Sequence, residues 1–214
     1  MTPSFLPDSV QRKSIMQFWF EFASTYSYPA ALRVEALARR HGVPLEWKAF
    51  LLGPIFQAQG WNDSPFNLFP VQGRYMWRDL ERICADLELP FRRPSRFPRH
   101  SVLAARIACR FAAEPWLPDF VRAVFRANFA EDRDIAQPEV LEQCLNRLDP
   151  PGAELLQQAQ SPDSKALLRA QTERAVALGI FGAPTFIVGD ELFWGNDRLE
   201  AALAWATRRA ESER

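Results

Sequence analysis

Phe18, Phe20 and Phe22 recur at every second position of Gln17-Phe18-Trp19-Phe20-Glu21-Phe22, and immediately afterwards the pattern turns helical. The period of two predicts a strand with one strongly apolar face. Ala23-Ser24-Thr25-Tyr26-Ser27-Tyr28-Pro29 follows, a cluster of hydroxyls and a proline of the kind that opens a helix. That helix runs to about His41, with Ala31, Leu32, Val34, Leu37 and Ala38 at helical spacing, and is closed by Gly42 with Pro44 just beyond. A second strand, Leu45 to Phe50, completes a β-α-β unit. Two strands joined through one helix should be parallel with a right-handed crossover.

Gly53 to Pro70 is rich in Pro, Gly, Asn and Phe without a clean period, and is expected to be a long ordered loop of the kind that carries function. Five helical stretches follow, at Tyr75–Leu87, Ser101–Ala112, Pro118–Phe129, Pro138–Leu148 and Pro162–Leu178, three of them opening on proline and the last stopping at Gly179. The tail returns to strand at Thr185–Val188, turns at Gly189-Asp190 and continues as Glu191–Trp194. A closing helix, capped by Asn196 or Asp197, turns Leu199, Ala202, Leu203 and Ala206 inward. The order β-α-β, helices, β-β-α predicts an α/β protein with a four-stranded mixed sheet, interrupted after its second strand by a helical insertion.

The composition of the 214 residues then removes function classes. Lys and Arg total 26 against 26 Asp and Glu, so the basic excess that phosphate contacts require is absent and nucleic-acid binding is not expected. Cys84, Cys109 and Cys144 stand far apart with no C-x-x-C, which leaves neither a zinc knuckle nor a dithiol redox motif. Their odd number argues against a disulfide scaffold and for a reducing, cytoplasmic setting. No apolar run reaches the ~18 to 20 residues of a membrane span. Met1 to Ile15, with two prolines, Asp8, Arg12 and Lys13, has no apolar stretch of a secretory signal and reads as a disordered extension or as a start placed upstream of Met16.

Three places could carry chemistry. Ser24-Thr25-Tyr26-Ser27 lies at the carboxyl end of a parallel strand and the start of a helix, where exposed N–H groups and the helix dipole favour an anion; Ser24 as an ordinary cap fits the same residues. In Gly182-Ala183-Pro184-Thr185 a proline stands just before a strand. A cis bond there would turn the preceding backbone outward as an unpaired edge, although on the residues alone trans is the expected isomer. Trp194-Gly195-Asn196-Asp197-Arg198 is another helix start, which either caps itself or holds a zwitterion, carboxylate to the amides and ammonium to Asp197. The basic run Arg92 to His100 reads as a solvated loop, His41 as a structural group at a helix end, and Met16, Met76 and Trp77 as packing residues.

Taken with the element order, Phe20-Glu21-Phe22-Ala23-Ser24-Thr25-Tyr26-Ser27-Tyr28, Gly73-Arg74-Tyr75-Met76-Trp77-Arg78-Asp79, Gly182-Ala183-Pro184-Thr185 and Phe193-Trp194-Gly195-Asn196-Asp197-Arg198-Leu199 resemble the 2-hydroxychromene-2-carboxylate isomerases and kappa-class glutathione transferases, within the DsbA-like thioredoxin superfamily. The resemblance covers Met16 to Arg209 and implies a thioredoxin fold, with residues 16–60 and 180–214 as the thioredoxin-like domain and residues 61–179 as a helical insertion domain with its preceding loop. It implies that Ser24 takes the place of a redox cysteine and holds the sulfur of glutathione. By the same resemblance Pro184 is cis, Ala183 pairs its backbone with the tripeptide, and Asn196 with Asp197 hold the γ-glutamyl end. A homodimer and a small aromatic carboxylate substrate are further implications.

A thiol with the ordinary value of ~8.5, placed at a helix N-terminus beside a hydroxyl donor, shifts toward thiolate. Its reversible addition to a conjugated enone makes the double bond single, lets it rotate and returns the thiol on elimination, which would interconvert 2-hydroxychromene-2-carboxylate and trans-o-hydroxybenzylidenepyruvate. Three departures stand out: Glu21 where relatives commonly have Asp, Thr25 where they have Pro, and Val71-Gln72 where a lysine often precedes the Gly-x-Tyr-Met run. Alternatives are a kappa-like transferase that leaves a stable adduct and a noncatalytic DsbA-like binding protein. A thiol-disulfide oxidoreductase is disfavoured because Ser24 and Ser27 stand where both cysteines belong.

Overall fold

The computed structural model describes residues 15–146 and 151–212. Its sheet is built from β1 (Met16–Phe20), β2 (Leu45–Ala49), β3 (Thr185–Val188) and β4 (Glu191–Trp194) in the order β2-β1-β3-β4. β1 runs parallel to β2, in register from Met16↔Leu45 to Phe20↔Ala49, and antiparallel to β3, which pairs antiparallel with β4. Helix α1 (Ser27–His41) makes the crossover and ends at Gly42, whose φ of 62° and backbone bonds to Ala38 and Arg39 close it as expected. The mixed sheet and the α/β class thus follow the element order of the chain.

The pleat of β1 divides the interior. Met16, Phe18 and Phe20, with Phe22 beyond, enter one large core with Trp47, Phe186, α1 and the helices of the middle segment. Trp19 faces the other way, into a smaller cluster with Phe50, Ile55, Ala175 and Ile187. Ring centroids of Phe18 lie 5.1 Å from Phe20, 5.2 Å from Trp47 and 5.4 Å from Phe186, so the strand's apolar face is an aromatic seam across three strands. Met16, Met76 and Trp77 are buried core residues.

The middle of the chain is helical: α2 (Leu52–Ala58), α3 (Pro65–Leu68), α4 (Pro70–Asp86), α5 (Val102–Arg110), α6 (Leu117–Phe129), α7 (Pro138–Asn146), α8 (Gly152–Ala159) and α9 (Pro162–Ala177). The expected long loop from Gly53 to Pro70 is therefore corrected: it holds α2, α3 and the start of α4. Pro65 and Pro70 open helices, where the missing N–H costs nothing, and the Ser64 hydroxyl caps α3 by accepting from Phe66 N at 3.3 Å. Helix α8 has no counterpart in the sequence reading. The β1 strand stops at Phe20 rather than Phe22, and α1 begins at Ser27, one turn after Ser24. After β4 a 3-10 turn (Asn196–Arg198) leads into α10 (Leu199–Ser212), so Asn196 and Asp197 sit in the turn ahead of the last helix. The expected extension before Met16, and the end of the helix expected to reach Leu148, fall outside the described residues apart from Ile15. No helix among the described residues is long and apolar enough to cross a membrane.

Candidate active site

Ser24 occupies the turn between β1 and α1, with its N–H bonded to Glu21 O at 2.9 Å. Its hydroxyl does two things at once: it accepts from Ser27 N at 3.3 Å, as a cap would, and donates to Ala183 O at 2.9 Å across a separation of 159 residues. The cap reading of Ser24 is thus seen on this oxygen, whose proton joins the start of α1 to Ala183. The Ala183–Pro184 peptide is cis, as the resemblance implied and contrary to the isomer expected from the residues alone. Pro184 O accepts from Gly195 N at 2.9 Å, which ties the turn carrying Asn196 and Asp197 to the same corner. Ser24, Ala183, Pro184 and Gly195 thus form a chain of direct contacts at the end of the sheet where the parallel pair β1 and β2 present their carboxyl ends.

Asn196 is buried, and Asp197 is exposed, with Arg198 at 3.4 Å. Arg33 from α1 holds Asn196 by Nε to Oδ1 at 3.3 Å and by a terminal nitrogen to the backbone oxygen at 2.8 Å. Tyr26 donates its hydroxyl to Asp79 of α4 at 2.9 Å, linking the Ser24 turn to the helical segment. Burial, and then the Asp79 bond, push the Tyr26 phenol well up, with the charges of Asp79, Tyr75 and Asp197 adding to the rise. It stays a neutral donor at physiological pH. Ser27, at the first position of α1, has a buried hydroxyl with no partner among the described residues. Val71 and Gln72 are exposed on the first turn of α4.

Two groups were not singled out as site residues by the sequence. The basic run Arg92 to His100 is not simply a solvated loop: Arg99 is buried, and its guanidinium donates to Arg133 O at 2.8 Å, to Asn128 Oδ1 at 3.1 Å and to the Asp132 carboxylate. Asn128 in turn donates to Phe22 O at 3.0 Å, two residues before Ser24. Glu21 lies under the same turn, accepting from Leu52 N at 3.0 Å, from Ala23 N at 3.4 Å and from the Ser101 hydroxyl. Leu52 and Ser101 come from distant stretches of chain, so the sequence marked Glu21 only as a departure from the Asp common in the family it resembles.

Burial raises the Glu21 carboxyl above its ordinary 4.5 and outweighs the three donors that lower it. The folded chain therefore keeps this proton over a pH window in which the unfolded chain has lost it. Its contribution to stability is full below 4.5 and is lost as pH rises through the raised folded value. Glu21→Gln, the uncharged isostere, is expected to erase that slope: in thermal melts across a pH series, the wild type loses ground to the variant from acid to neutral pH. A difference in Tm that does not vary with pH would refute this.

A cleft of about 640 Å³ lies elsewhere, between α1, β2 and the turn before α6, lined by Glu35, Arg39, Trp47, Lys48 and Glu114 among others. Neither Ser24 nor any residue of the Ala183 and Asn196 turns borders it.

Residues 15–204 match the model of a DSBA-like thioredoxin domain. The chain is 30% identical over 186 residues to the 2-hydroxychromene-2-carboxylate isomerase of Sphingobium xenophagum, covering 86% of this chain and 94% of that protein. It is 24% identical over 204 residues to glutathione S-transferase kappa 2 of Caenorhabditis elegans, over 87% of this chain and 89% of that one. Among solved structures, a selenomethionine 2-hydroxychromene-2-carboxylate isomerase superposes with a TM-score of 0.80 at 26% identity, covering 94% of this chain and 99% of that one. The chain belongs to the DsbA-like thioredoxin family, within its group of 2-hydroxychromene-2-carboxylate isomerases and kappa-class glutathione transferases.

Proposed function

We propose that this protein is a glutathione-dependent isomerase that interconverts 2-hydroxychromene-2-carboxylate and trans-o-hydroxybenzylidenepyruvate, or a related aromatic enone acid. The observation that carries the reading is the Ser24 hydroxyl, held at the start of α1 against the cis Ala183–Pro184 peptide in a corner with no cysteine of its own. The names of the relatives support it: isomerases of this substrate at 30% identity, and kappa glutathione transferases at 24%.

The residues present fit a tripeptide thiol. Ser24 offers one hydroxyl proton for a sulfur, Ala183 an adjacent backbone edge, Asn196 an amide for a carboxylate and Asp197 an exposed carboxylate for an ammonium. Bound there, glutathione supplies a nucleophilic sulfur whose reversible addition to the enone permits rotation about the former double bond. Ser24 holds its proton toward that sulfur, and the first N–H groups of α1 place partial positive charge beside it. Tyr26, kept protonated by burial and Asp79, anchors the turn to α4 and keeps Ser24 in place. The same reading includes a cytoplasmic, reducing setting, where glutathione is abundant as a thiol, and a homodimer.

Purified protein with reduced glutathione is expected to convert the chromene acid, followed by its change in ultraviolet absorbance, with no reaction when glutathione is left out. An unchanged spectrum in its presence would defeat the reading. The kappa relatives favour glutathione transfer as a second reading, and mass spectrometry separates the two: a transferase leaves a stable glutathione adduct, an isomerase none.

A further inference from the structure

Asn196 and Asp197 form the part of the site farthest in sequence from Ser24, and what fixes the Asn196 side chain is a residue of the first helix. We propose that Arg33 is a positioning residue, which sets the Asn196 amide with its nitrogen outward, as a donor to the carboxylate at the γ-glutamyl end of glutathione; this rests on the glutathione reading above.

A guanidinium carries only donors, so the atom of the Asn196 amide that faces it must be the oxygen. Arg33 reaches that oxygen twice, with Nε at 3.3 Å and a terminal nitrogen at 3.1 Å, and the same terminal nitrogen holds the Asn196 backbone oxygen at 2.8 Å. Its other terminal nitrogen pairs with Glu200 on α10. The amide therefore cannot flip without placing its NH2 group against the guanidinium. Its nitrogen is left pointing away from Arg33 and forms no hydrogen bond among the described residues. That nitrogen reaches solvent rather than being sealed in, so something that binds there takes the place of water.

The charges decide what that something is. Glu200 neutralises Arg33, whose Nε and second terminal nitrogen are turned to Asn196, which leaves the Asn196 amide nitrogen as the donor aimed away from this cluster. The next residue, Asp197, presents a carboxylate whose side chain is 72% exposed. A neutral donor beside an anion suits an α-amino acid end, its carboxylate on the Asn196 nitrogen and its ammonium on Asp197, and suits a plain dicarboxylate poorly. The γ-glutamyl group of glutathione is such an end. Arg33 acts on it only through Asn196.

Affinity for reduced glutathione, measured by calorimetry on the full-length protein, tests this with a double-mutant cycle. Arg33→Ala is expected to weaken binding by about tenfold to a hundredfold, the loss of one oriented hydrogen bond to a charged group. In an Asn196→Ala background the same substitution should change the affinity by no more than about twofold, because the amide it positions is gone. Arg33→Lys keeps a cation for Glu200 but cannot hold the side-chain and backbone oxygens together, and should fall between the wild type and Arg33→Ala. Equal losses with and without the Asn196 side chain would show that Arg33 merely ties α1 to the 3-10 turn, and would overturn the positioning role while the glutathione reading stands. Wild-type protein that fails to bind glutathione would overturn the reading beneath it and the proposal with it. Melting temperatures of all five proteins, taken alongside, separate weakened binding from lost folding.

Discussion

Ser24→Ala is expected to lower kcat for the isomerisation by about a hundredfold or more, the cost of deleting one preorganised donor to a developing anion. The hydroxyl proton now lies on Ala183 O at 2.9 Å while the oxygen accepts from Ser27 N at 3.3 Å. With a sulfur in the corner, the oxygen can keep the Ser27 bond and turn its proton to the new acceptor, since a hydroxyl hydrogen rotates freely. Alanine removes the proton and leaves the Ser27 N–H without its acceptor. Two readouts follow. Steady-state rates should show the loss in kcat more than in KM, because the donor matters most where sulfur charge is largest. The thiolate absorbance of bound glutathione should appear at higher pH in the variant, because a donor to the charged form favours that form. Ser24→Thr, which keeps the hydroxyl, should retain most of the shift. A Ser24→Ala enzyme within about threefold of wild type, against the hundredfold expected of such a donor, would assign the thiolate to the helix dipole alone.

What the sequence could tell of this corner depended on how local the signals were. The two-residue turn at Gly189-Asp190 is written in adjacent residues, with Gly189 at a φ of 61°, and β3 and β4 fall on either side of it as expected. Ser24, Pro184 and Asn196 were visible because each follows or precedes a strand, and the resemblance told which isomer Pro184 adopts. Between Gly53 and Pro70 helices α2 and α3 span only seven and four residues, too short for a helical period to declare itself, and Pro54, Pro65 and Pro70 have the look of breakers. All three lie in the first turn of a helix, where proline is tolerated. Nothing local distinguishes Arg99 from its exposed neighbours in Arg92 to His100, and nothing local pairs Arg33 with Asn196, 163 residues away. Such contacts are decided by which elements the core brings together, and a lone chain gives no statement of them.

Arg99→Met is expected to destabilise the fold by about 3 to 5 kcal/mol, because it removes one side of a buried charge network and leaves the other. The Arg99 side chain is 3% exposed. Besides its bonds to Arg133 O, Asn128 Oδ1 and the Asp132 carboxylate, it donates to the backbone oxygens of Asn128 and Asp132, each at 3.2 Å. Methionine fills the space of the stem but offers none of these acceptors a proton. Asp132 would keep the bond from Ser95 N at 2.8 Å, the largest influence holding its carboxyl down at about 2, and would lose the guanidinium that supports it. Its contribution is present above the ordinary 3.8 and is lost as pH falls through the folded value, so the wild type should resist acid further than the variant does. At neutral pH the expected fall in Tm is about 10 °C or more for a domain of this size. Arg99→Lys keeps the charge without the fork, and should recover only part of the loss. The effect should also reach the reactive corner, because Asn128, freed from Arg99, is the donor that fixes Phe22 O beside the Ser24 turn. Melts of Arg99→Met within about two degrees of wild type would mean that the network contributes no more than a surface pair, and that Ser24 is held by Glu21 and Tyr26 without it.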